Sequence, residues 1–480
     1  MLEHNFILSE QLSTQEEFRA SILLTVDKIL SSIKDSKAFS GIAPFDLKKK
    51  IKIEELLPEK GWGFERALEK AEEDIIPHFL HTFSTDYMAH LHSPALIESI
   101  AAELIINTFN QSMDSWDQSP VATEVECEVI RHLLKLYNFP EDGDGVFTSG
   151  GSQSNLTALT IARDRFCNEK LHYDVKKLGL PANYQKLRLY TSEISHFSME
   201  KSAHTLGLGY NAVVKVPVDK NCCMDIEALE RLVKEDVKNG NIPFLAVATI
   251  GTTDFGSVDD VKRIREVCDK YGMFLHSDAA YGSGLAVSTN YKERMGEIEK
   301  ADFITIDFHK MFLLPISCSC VLVKRPSDFS PFELHADYLN REEDEEEGYT
   351  NLVGKSIQTT RRADAFKVWL CFLTRGKDGY KEIIDNDIEM GAYLYEVLSK
   401  DKDFKVAIKP TISSVVFRFN SSDDVNKKIR KALIHQKGIV IGQTVYEGET
   451  YLKFTLLNPN LTKEKLDELV ETIRELGNNC

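Results

Sequence analysis

The sequence lacks several features that mark special classes of protein. None of its nine cysteines belongs to a Cys-x-x-Cys pair, so we expect no zinc ribbon, no thioredoxin-type site and no metal. Its apolar runs, such as residues 244–250, are far shorter than the roughly 20 residues that span a bilayer. Basic residues are also in deficit, because 58 Lys and Arg face 75 Asp and Glu and leave a formal net charge of −17. We therefore expect neither a nucleic acid nor a membrane as a partner.

The chain also lacks the start of a signal peptide, since residues 1–17 carry acids and amides in place of a basic segment and an apolar core. Scattered cysteines are typical of reduced intracellular thiols, so we expect a cytoplasmic protein. Apolar residues make up 42% of the chain and charged residues 28%, as in ordinary globular proteins. With 480 residues there is room for about three domain-sized units, or for one large domain with smaller pieces.

The spacing of apolar residues divides the chain into three parts. Residues 1–85 show helical spacing, in Gln15–Lys34 and Gly63–Ile76, and predict a helical N-terminal arm. Residues 86–375 alternate short apolar strands with amphipathic helices, which predicts an α/β domain with a large, mostly parallel sheet. Residues 376–480 mix both types and predict a small α+β domain. The predicted strands are Leu187–Thr191, Ala212–Val216, Phe244–Ile250, Met273–His276, Phe303–Ile306, Cys320–Val323, Val415–Phe419 and Tyr451–Leu456. The remaining predicted helices are Ile97–Thr108, Val121–Tyr137, Asn155–Asn168, Ser198–Leu206, Ile226–Lys238, Asp259–Tyr271, Val425–Gln436 and Lys463–Leu476.

Four loops carry side chains suited to chemistry, most of them just after a predicted strand, where parallel sheets place their ligands. The loop Thr148–Asn155 opens a predicted helix with two glycines and several hydroxyls, so it could hold a phosphate. His196, Asp278 and Lys310 lie in the other three loops. Each has an ordinary structural explanation when taken alone. The glycine loop could start a helix and bind nothing, His196 could be a hydrogen-bonded structural residue, Asp278 could cap a turn, and Lys310 could be a surface cation.

The combination is more specific than its parts. A phosphate cradle, a stacking His196, the carboxylate of Asp278 and a Lys310 amine suited to Schiff-base chemistry follow one another on one predicted sheet. Pyridoxal phosphate needs these four elements: an anion site, a ring stack, a carboxylate that keeps the pyridine nitrogen protonated, and a lysine that forms an imine. The sequence therefore predicts pyridoxal 5′-phosphate as the cofactor.

The HSDAAYG motif around Asp278 and the His-Lys pair that ends at Lys310 resemble the group II pyridoxal-phosphate-dependent amino-acid decarboxylases of fold type I. This family includes aromatic-amino-acid, glutamate and L-2,4-diaminobutyrate decarboxylases, and the resemblance runs from about residue 77 to the C-terminus. It implies that Lys310 binds the cofactor covalently, that Asp278 pairs with the pyridinium nitrogen and that His196 stacks on the ring. The other residues that it places near the cofactor are Gly151, Ser152, Thr253, Ala280 and His309.

Two positions depart from the family pattern. Relatives often read Asn-Pro-His-Lys at the lysine, and here Asp307 replaces the Asn. A carboxylate beside a phosphate dianion is unfavourable unless a donor lies between them, so we expect no direct contact of Asp307 with the phosphate. Aromatic decarboxylases carry a mobile-loop Tyr that is assigned to protonation of the product carbon, and our alignment puts Leu352 there. Tyr349 is close by and is the candidate proton donor, and Tyr338 is farther away.

The segment Arg341–Tyr349 is a strongly acidic stretch, with six acids among residues 341–347. Such a run repels itself and stays hydrated. We expect an exposed, mobile loop that closes over the bound substrate and brings Tyr349 toward the α-carbon.

Two further segments resemble the part of the family pocket that surrounds the substrate side chain. The first contains His90 and His92, where aromatic decarboxylases are richer in aromatic and apolar residues. The second contains Asp114 and Asp117, which could neutralise a distal ammonium group or could be partnered structural acids or helix caps. The pattern is most similar to that of L-2,4-diaminobutyrate decarboxylases and related enzymes that form diamines.

We therefore predict the decarboxylation of an amino acid to its amine and CO2, with a diamino acid such as L-2,4-diaminobutyrate as substrate. The alternative within the class is an aromatic-L-amino-acid decarboxylase that acts on tyrosine, phenylalanine or tryptophan. Aminotransferases and β-eliminating lyases use the same Asp–Lys framework, and a non-enzymatic binding protein is the remaining alternative. The arm of about 85 residues is too small to bury a core alone. In the relatives it wraps the partner subunit, so the resemblance implies a homodimer with shared active sites.

Overall fold

The fold is described by a computed structural model over residues 7–33, 37–334 and 347–480. Its helices are α1 (Leu12–Ser32), α2 (Pro44–Lys50), α3 (Phe64–Asp74), α4 (Ile97–Phe109), α5 (Pro120–Leu136), α6 (Gly151–Leu171), α7 (Val175–Leu178), α8 (Ser198–Thr205), α9 (Ile226–Lys238), α10 (Val261–Tyr271), α11 (Ala365–Ser399), α12 (Asp423–Ala432) and α13 (Lys463–Asn478). Its strands are β1 (Tyr87–Met88), β2 (Asp144–Thr148), β3 (Leu187–Ser192), β4 (Val213–Val216), β5 (Ile242–Thr249), β6 (Phe274–Ala279), β7 (Phe303–Asp307), β8 (Ser319–Val323), β9 (Phe404–Val406), β10 (Ser414–Phe419), β11 (Val440–Tyr446) and β12 (Glu449–Thr455).

A sheet of seven strands lies at the centre of the described part of the chain, in the order β2-β8-β7-β6-β5-β3-β4. The strands from β7 to β4 run parallel, and β8 pairs antiparallel with both β7 and β2. Every residue of β6, β7 and β8 is buried, as in sheets that are covered on both faces. The predicted α/β fold with a mostly parallel sheet is therefore confirmed.

Helices cover both faces of this sheet. On one face α6 and α8 contribute Leu159 and Ala203 to a shared apolar core. On the other face α5, α9, α10 and α11 form a second core, which contains Leu229. Strand β7 alternates between the two, since Phe303 belongs to the first core and Ile304 to the second. Both faces of the sheet are therefore covered by apolar cores, and polar side chains that could bind a ligand lie at its edge, where the strands end.

The start of α6 differs from that of an ordinary capped helix. In α9, for comparison, the Asp225 carboxylate accepts hydrogen bonds from the N–H groups of Glu227 and Ala228. No side chain caps α6, which begins at Gly151 directly after Gly150. Gly150 has a φ of 134°, a conformation that side-chain-bearing residues rarely adopt. The first N–H groups of α6 are thus left available to a ligand.

A second, smaller sheet has the order β1-β11-β12-β10-β9. Helices α12 and α13 and the end of α11 pack on it around Leu394, Phe417 and Leu469. Helix α11 connects the two sheets and has non-helical backbone at Gly376, next to the predicted boundary between residues 375 and 376. The domain bounds 1–85, 86–375 and 376–480 stay predictions.

The N-terminal helices bury almost nothing within the chain. Thr14 is the one buried residue of α1 in the described range, and α2 and α3 have none. Large apolar side chains stand exposed instead, and Leu12, Leu30 and Phe45 are 69%, 57% and 68% exposed. Among the described residues, no helix combines the length and the apolar character needed to cross a membrane.

Candidate active site

A cavity of about 630 Å³ opens where the strands of the large sheet end. Residues that follow β2, β3, β5, β6 and β7 line it, together with Leu91, Ile316 and Ser317. The residues predicted to bind the cofactor all line this one cavity: Gly151, Ser152, His196, Thr253, Asp278, Ala280, His309 and Lys310. Their individual roles stay predictions, and the fold brings them together from distant parts of the chain.

Asp278, the penultimate residue of β6, is held by the side chain of Asn155, the fifth residue of α6. The Asn155 Nδ2 group donates to Asp278 Oδ2 at 2.8 Å and to Ser198 Oγ at 2.9 Å. The backbone N–H of Ala280 donates to Asp278 Oδ1 at 3.2 Å. Asp278 is 6% exposed, so these donors stabilise its charge in a site with little water.

The same Asn155 connects Asp278 to a buried histidine. Asn155 Oδ1 lies 2.8 Å from His276 Nε2 and accepts a hydrogen bond from Thr305 Oγ1 at 2.8 Å. Complete burial lowers the pKa of His276 to about 4, so its ring is neutral at neutral pH. His276 Nδ1 also lies 3.2 Å from the Phe303 carbonyl, so both ring nitrogens face oxygen acceptors. A neutral ring has one N–H, and the shorter of the two contacts assigns it to Nε2. The orientation of Asn155, and with it that of Asp278, is thereby fixed.

Asn155 and His276 are site residues that the predictions did not include, although the sequence holds a signal for both. His276 and Asp278 are two residues apart on a strand and therefore point to the same side. Asn155 follows Gly151 by four residues on a helix, so both lie on one helical face. What the sequence does not contain is the packing of α6 against β6, which brings the two pairs into contact.

His196 lies in the loop after β3 and faces the cavity. Ser195 Oγ lies 2.9 Å from Ser192 Oγ and 3.0 Å from Thr249 Oγ1, which ties this loop to β3 and β5. The backbone N–H of Ser198 donates to His196 Nδ1 at 3.3 Å. Burial lowers the pKa of His196, against the opposite pull of the Asp278 charge. A neutral imidazole held in this way suits the predicted stacking on an aromatic ring.

Thr253 lies on a turn that the small sheet holds in place. Lys453, on β12 and 3% exposed, donates to Asp254 Oδ1 at 2.7 Å and to the Thr253 carbonyl at 3.4 Å. Gly251, at the start of the turn, has a φ of 97°, and a Cβ there would lie 2.9 Å from the ring of Tyr281. The turn can follow this path because the position is a glycine.

Lys310 lies three residues after the end of β7, and its Nζ is 3.0 Å from Asp307 Oδ2. His309 holds the opposite side of this loop, with Nδ1 2.9 Å from the Cys318 carbonyl. The Lys310 side chain is 18% exposed, so its amine faces the cavity and not bulk solvent. An amine in this setting is placed to react with a bound carbonyl compound.

Lys367 is a buried residue behind the cavity wall that the sequence did not single out. It is 0% exposed and donates to the carbonyls of Pro315 and Ser317 at 3.4 and 3.2 Å. Its charge is balanced by Glu103, whose carboxylate lies 2.9 Å away. Ile316, between the two carbonyls, lines the cavity. The buried ammonium therefore fixes one wall of the site.

His90 and His92 lie beside the cavity, on the segment after β1. Leu91, between them, lines the cavity wall, and Ser93 Oγ donates to the His309 carbonyl at 3.3 Å. Burial lowers the pKa of both His90 and His92. Neither His90 nor His92 lines the cavity itself, so their contact with the substrate stays a prediction.

Asp114, Asp117 and Tyr349 do not line the cavity of their own chain. The Trp116 ring meets the Tyr349 ring edge-on, with centroids 5.0 Å apart. Asp114 Oδ2 accepts a hydrogen bond from Thr360 Oγ1 at 3.2 Å. We call Asp114, Trp116, Asp117 and Tyr349 the Tyr349 cluster. Most of the predicted acidic loop, together with Tyr338, lies outside the described residues.

The residues of the cavity fit pyridoxal phosphate. The amine of Lys310 suits its aldehyde, the carboxylate of Asp278 suits its ring nitrogen, and the uncapped start of α6 suits its phosphate. A side chain has no room at the first residue of α6, because a Cβ on Gly151 would lie 2.9 Å from Asp307 Oδ2.

Comparisons with known proteins identify relatives of the chain. The pyridoxal-dependent decarboxylase conserved domain matches residues 44–420. An L-2,4-diaminobutyrate decarboxylase of Rhizobium meliloti (strain 1021) is 36% identical over 481 residues, 98% of this chain and 94% of that protein. Another, of Acinetobacter baumannii, is 34% identical over 473 residues, 95% of this chain and 92% of that protein.

A solved structure is similar over nearly the whole chain. It is the glutamate decarboxylase domain of diaminobutyrate-pyruvate transaminase and L-2,4-diaminobutyrate decarboxylase from Vibrio parahaemolyticus. The TM-score is 0.91 at 34% sequence identity, and the match covers 99% of this chain and 98% of that one.

Proposed function

The chain belongs to the family of pyridoxal-dependent decarboxylases, and we propose that it converts a diamino acid, such as L-2,4-diaminobutyrate, to its diamine and CO2. It is a pyridoxal-phosphate-dependent amino-acid decarboxylase of fold type I. The observation that carries the choice of substrate is the near full-length similarity to two proteins named L-2,4-diaminobutyrate decarboxylase. This similarity supports the diamino acid over the aromatic alternative.

The residues of the cavity divide the work of the reaction. The bound cofactor supplies a pyridinium ring that accepts the electron pair left behind when CO2 departs. Asp278, with its donor Asn155, would hold a proton at the ring nitrogen, and His196 would hold the ring from one face. Lys310 would keep the cofactor attached between turnovers and release the product. Gly151, Ser152, Thr253, Ala280 and His309 would complete the binding site.

We assign the return of a proton to the α-carbon to the Tyr349 hydroxyl. A phenol is a suitable general acid when it is placed within hydrogen-bond reach of the acceptor. Tyr349 is 40% exposed and packs on Trp116, outside the cavity of its own chain. This role therefore requires that the Tyr349 cluster belongs to the active site of a second subunit.

A homodimer with shared active sites provides that arrangement. Helix α4 exposes large apolar side chains, among them Ile97 at 82% and Phe109 at 69%. The N-terminal helices also expose large apolar side chains. Apolar surface of this extent on one chain supports an interface with another. In such a dimer, Asp114 and Asp117 of one subunit would face the distal ammonium of a substrate bound by the other.

A panel of amino acids tests the proposed substrate. The purified protein, loaded with pyridoxal 5′-phosphate, is supplied with L-2,4-diaminobutyrate, L-ornithine, L-tyrosine, L-phenylalanine and L-glutamate, and the amines are identified by mass spectrometry. We expect the largest kcat/KM for a diamino acid, with 1,3-diaminopropane as the product from L-2,4-diaminobutyrate. A larger kcat/KM for tyrosine or phenylalanine than for every diamino acid would overturn the proposal.

Mixed dimers test the shared site. Lys310→Ala and a Tyr349 cluster variant, Asp114→Ala, should each be weakly active or inactive alone. After subunit exchange, random pairing gives half heterodimers with one intact site each, so activity should return to about a quarter of the wild-type value. If the cluster served its own chain, every site in the mixture would carry a defect and no activity would return.

We also propose that the protein works in the cytoplasm, because all nine cysteines are free and most are buried. Fractionation of cells with an antibody to the protein tests this, and recovery from an oxidising compartment would contradict it.

A further inference from the structure

Asp307 places a negative charge where the cofactor also brings one. The residue ends β7, lines the cavity and is 2% exposed. No step of the proposed reaction uses the Asp307 side chain. Its contacts, however, involve two parts of the cofactor site.

The first part is the lysine. Asp307 Oδ2 lies 3.0 Å from Lys310 Nζ and 3.6 Å from His309 Nε2, and Oδ1 accepts a hydrogen bond from Ser319 Oγ at 2.6 Å. In a buried setting an ion pair of this kind holds both partners firmly, since neither is well hydrated. The Lys310 ammonium is thus engaged before any cofactor arrives.

The second part is the start of α6. A Cβ built on Gly151 would lie 2.9 Å from Asp307 Oδ2 and 3.0 Å from Oδ1. The carboxylate therefore packs on the first residue of the helix, at the positive end of the helix dipole. Any anion that reaches the N–H groups of Gly151 and Ser152 comes close to this carboxylate.

We propose that Asp307 competes with the cofactor's phosphate for the start of α6, and so keeps cofactor binding weak enough to be reversible. Covalent capture takes Lys310 away from Asp307. The ammonium nitrogen and the aldehyde carbon form a protonated C=N bond, and two ammonium hydrogens leave with the aldehyde oxygen as water. Asp307 then retains Ser319 as a donor but faces a phosphate across Gly151. The inference rests on the family's cofactor and is independent of the substrate.

The test exchanges the carboxylate for an amide of the same shape. The cofactor is removed from wild type and from Asp307→Asn, and each is titrated with pyridoxal 5′-phosphate. Binding is measured by the absorbance of the bound form. Pyridoxine 5′-phosphate, an alcohol that cannot bond to Lys310, is titrated by its quenching of tryptophan fluorescence. We expect Asp307→Asn to bind both compounds at least about 10-fold more tightly, the scale of one charge-assisted hydrogen bond. Binding of pyridoxal, which lacks the phosphate, should change much less.

A matched control is Asp328→Asn, the same exchange at a carboxylate that is 3% exposed and does not line the cavity. It should leave the affinity for all three compounds unchanged. If Asp307→Asn does not fold, the pair Lys310→Ala and Lys310→Ala/Asp307→Asn is compared, because the first variant leaves Asp307 without its cation. The double variant should then bind pyridoxal 5′-phosphate more tightly than the single one. Equal or weaker binding of pyridoxine 5′-phosphate by Asp307→Asn, or by the double variant against its parent, would overturn the proposal whichever substrate the enzyme uses.

Discussion

Replacing Asn155 with alanine tests whether this residue positions Asp278 for catalysis in addition to stabilising the fold. Asn155 is 1% exposed, and its amide takes part in four hydrogen bonds. The NH2 group donates to Asp278 at 2.8 Å and to Ser198 at 2.9 Å. The carbonyl oxygen accepts from His276 and Thr305, each at 2.8 Å. Asn155→Ala removes all four bonds and leaves their partners buried.

The magnitudes of the two effects differ. The bond to the Asp278 carboxylate is charge-assisted and contributes about 1.5–3 kcal/mol, while each neutral bond contributes about 0.5–1.5 kcal/mol. The free energy of unfolding should therefore fall by roughly 3–7 kcal/mol, less where water enters the space left by the amide. The bond to Asp278 is the one that bears on catalysis. Its loss should lower kcat by about 10- to 150-fold, because the carboxylate is then free to turn away from the ring nitrogen.

The control is Asn426→Ala on α12, a helix that packs on the small sheet. Asn426 is 0% exposed and bonds the backbone of Phe419 and Ser422. Both variants should unfold at lower denaturant concentrations than wild type. At a temperature where both are folded, Asn155→Ala alone should lose kcat and change the absorbance of the bound cofactor. Equal kcat in the two variants would refute the claim that Asn155 positions Asp278.

Four further variants test other residues. Tyr349→Phe should slow protonation of the product carbon and raise the share of aldehyde or pyridoxamine phosphate formed, and unchanged product ratios would remove Tyr349 from the mechanism. Asp114→Asn and Asp117→Asn should each lower the kcat/KM preference for L-2,4-diaminobutyrate over tyrosine by about 10- to 150-fold, the value of one charge-assisted hydrogen bond. An unchanged preference in both would mean that these acids are structural. Burial lowers the pKa of His276 to about 4 from an ordinary 6.5. Between these pH values His276 binds a proton in the unfolded chain but not in the folded chain. The free energy of unfolding should thus fall by about 3 kcal/mol as the pH drops from 6.5 to 4, and His276→Gln should flatten this dependence in denaturant titrations.

The fold was predictable where an element carries its own periodicity. Helix α9 has the predicted bounds Ile226–Lys238, and β7 extends one residue past its prediction. The missing elements depend on partners far along the chain. Strand β2 holds only two consecutive apolar or aromatic residues, Val146 and Phe147, and is defined by pairing with β8. Helix α11 was not predicted, because Gly376, where its backbone is non-helical, interrupts its pattern.

The site was predictable as an order of residues and not as a set of contacts. The sequence placed a glycine loop, a histidine, a carboxylate and a lysine after successive elements, and the parallel sheet brings them to one cavity. Contacts such as Asn155 with Asp278 depend on how α6 sits on the sheet. Tyr349 does not line the cavity of its own chain, so its proposed role depends on a second subunit. Local sequence patterns do not show how two subunits are arranged.

The most direct test of the account is to locate the cofactor on the chain. The loaded protein is reduced with borohydride and digested, and the pyridoxyl-modified peptide is identified by mass spectrometry. The account predicts one modified residue, Lys310, in the peptide that also contains Asp307 and His309, and a Lys310→Ala variant that folds but lacks both the modification and turnover. A pyridoxyl group on another lysine, with Lys310→Ala still active, would contradict it.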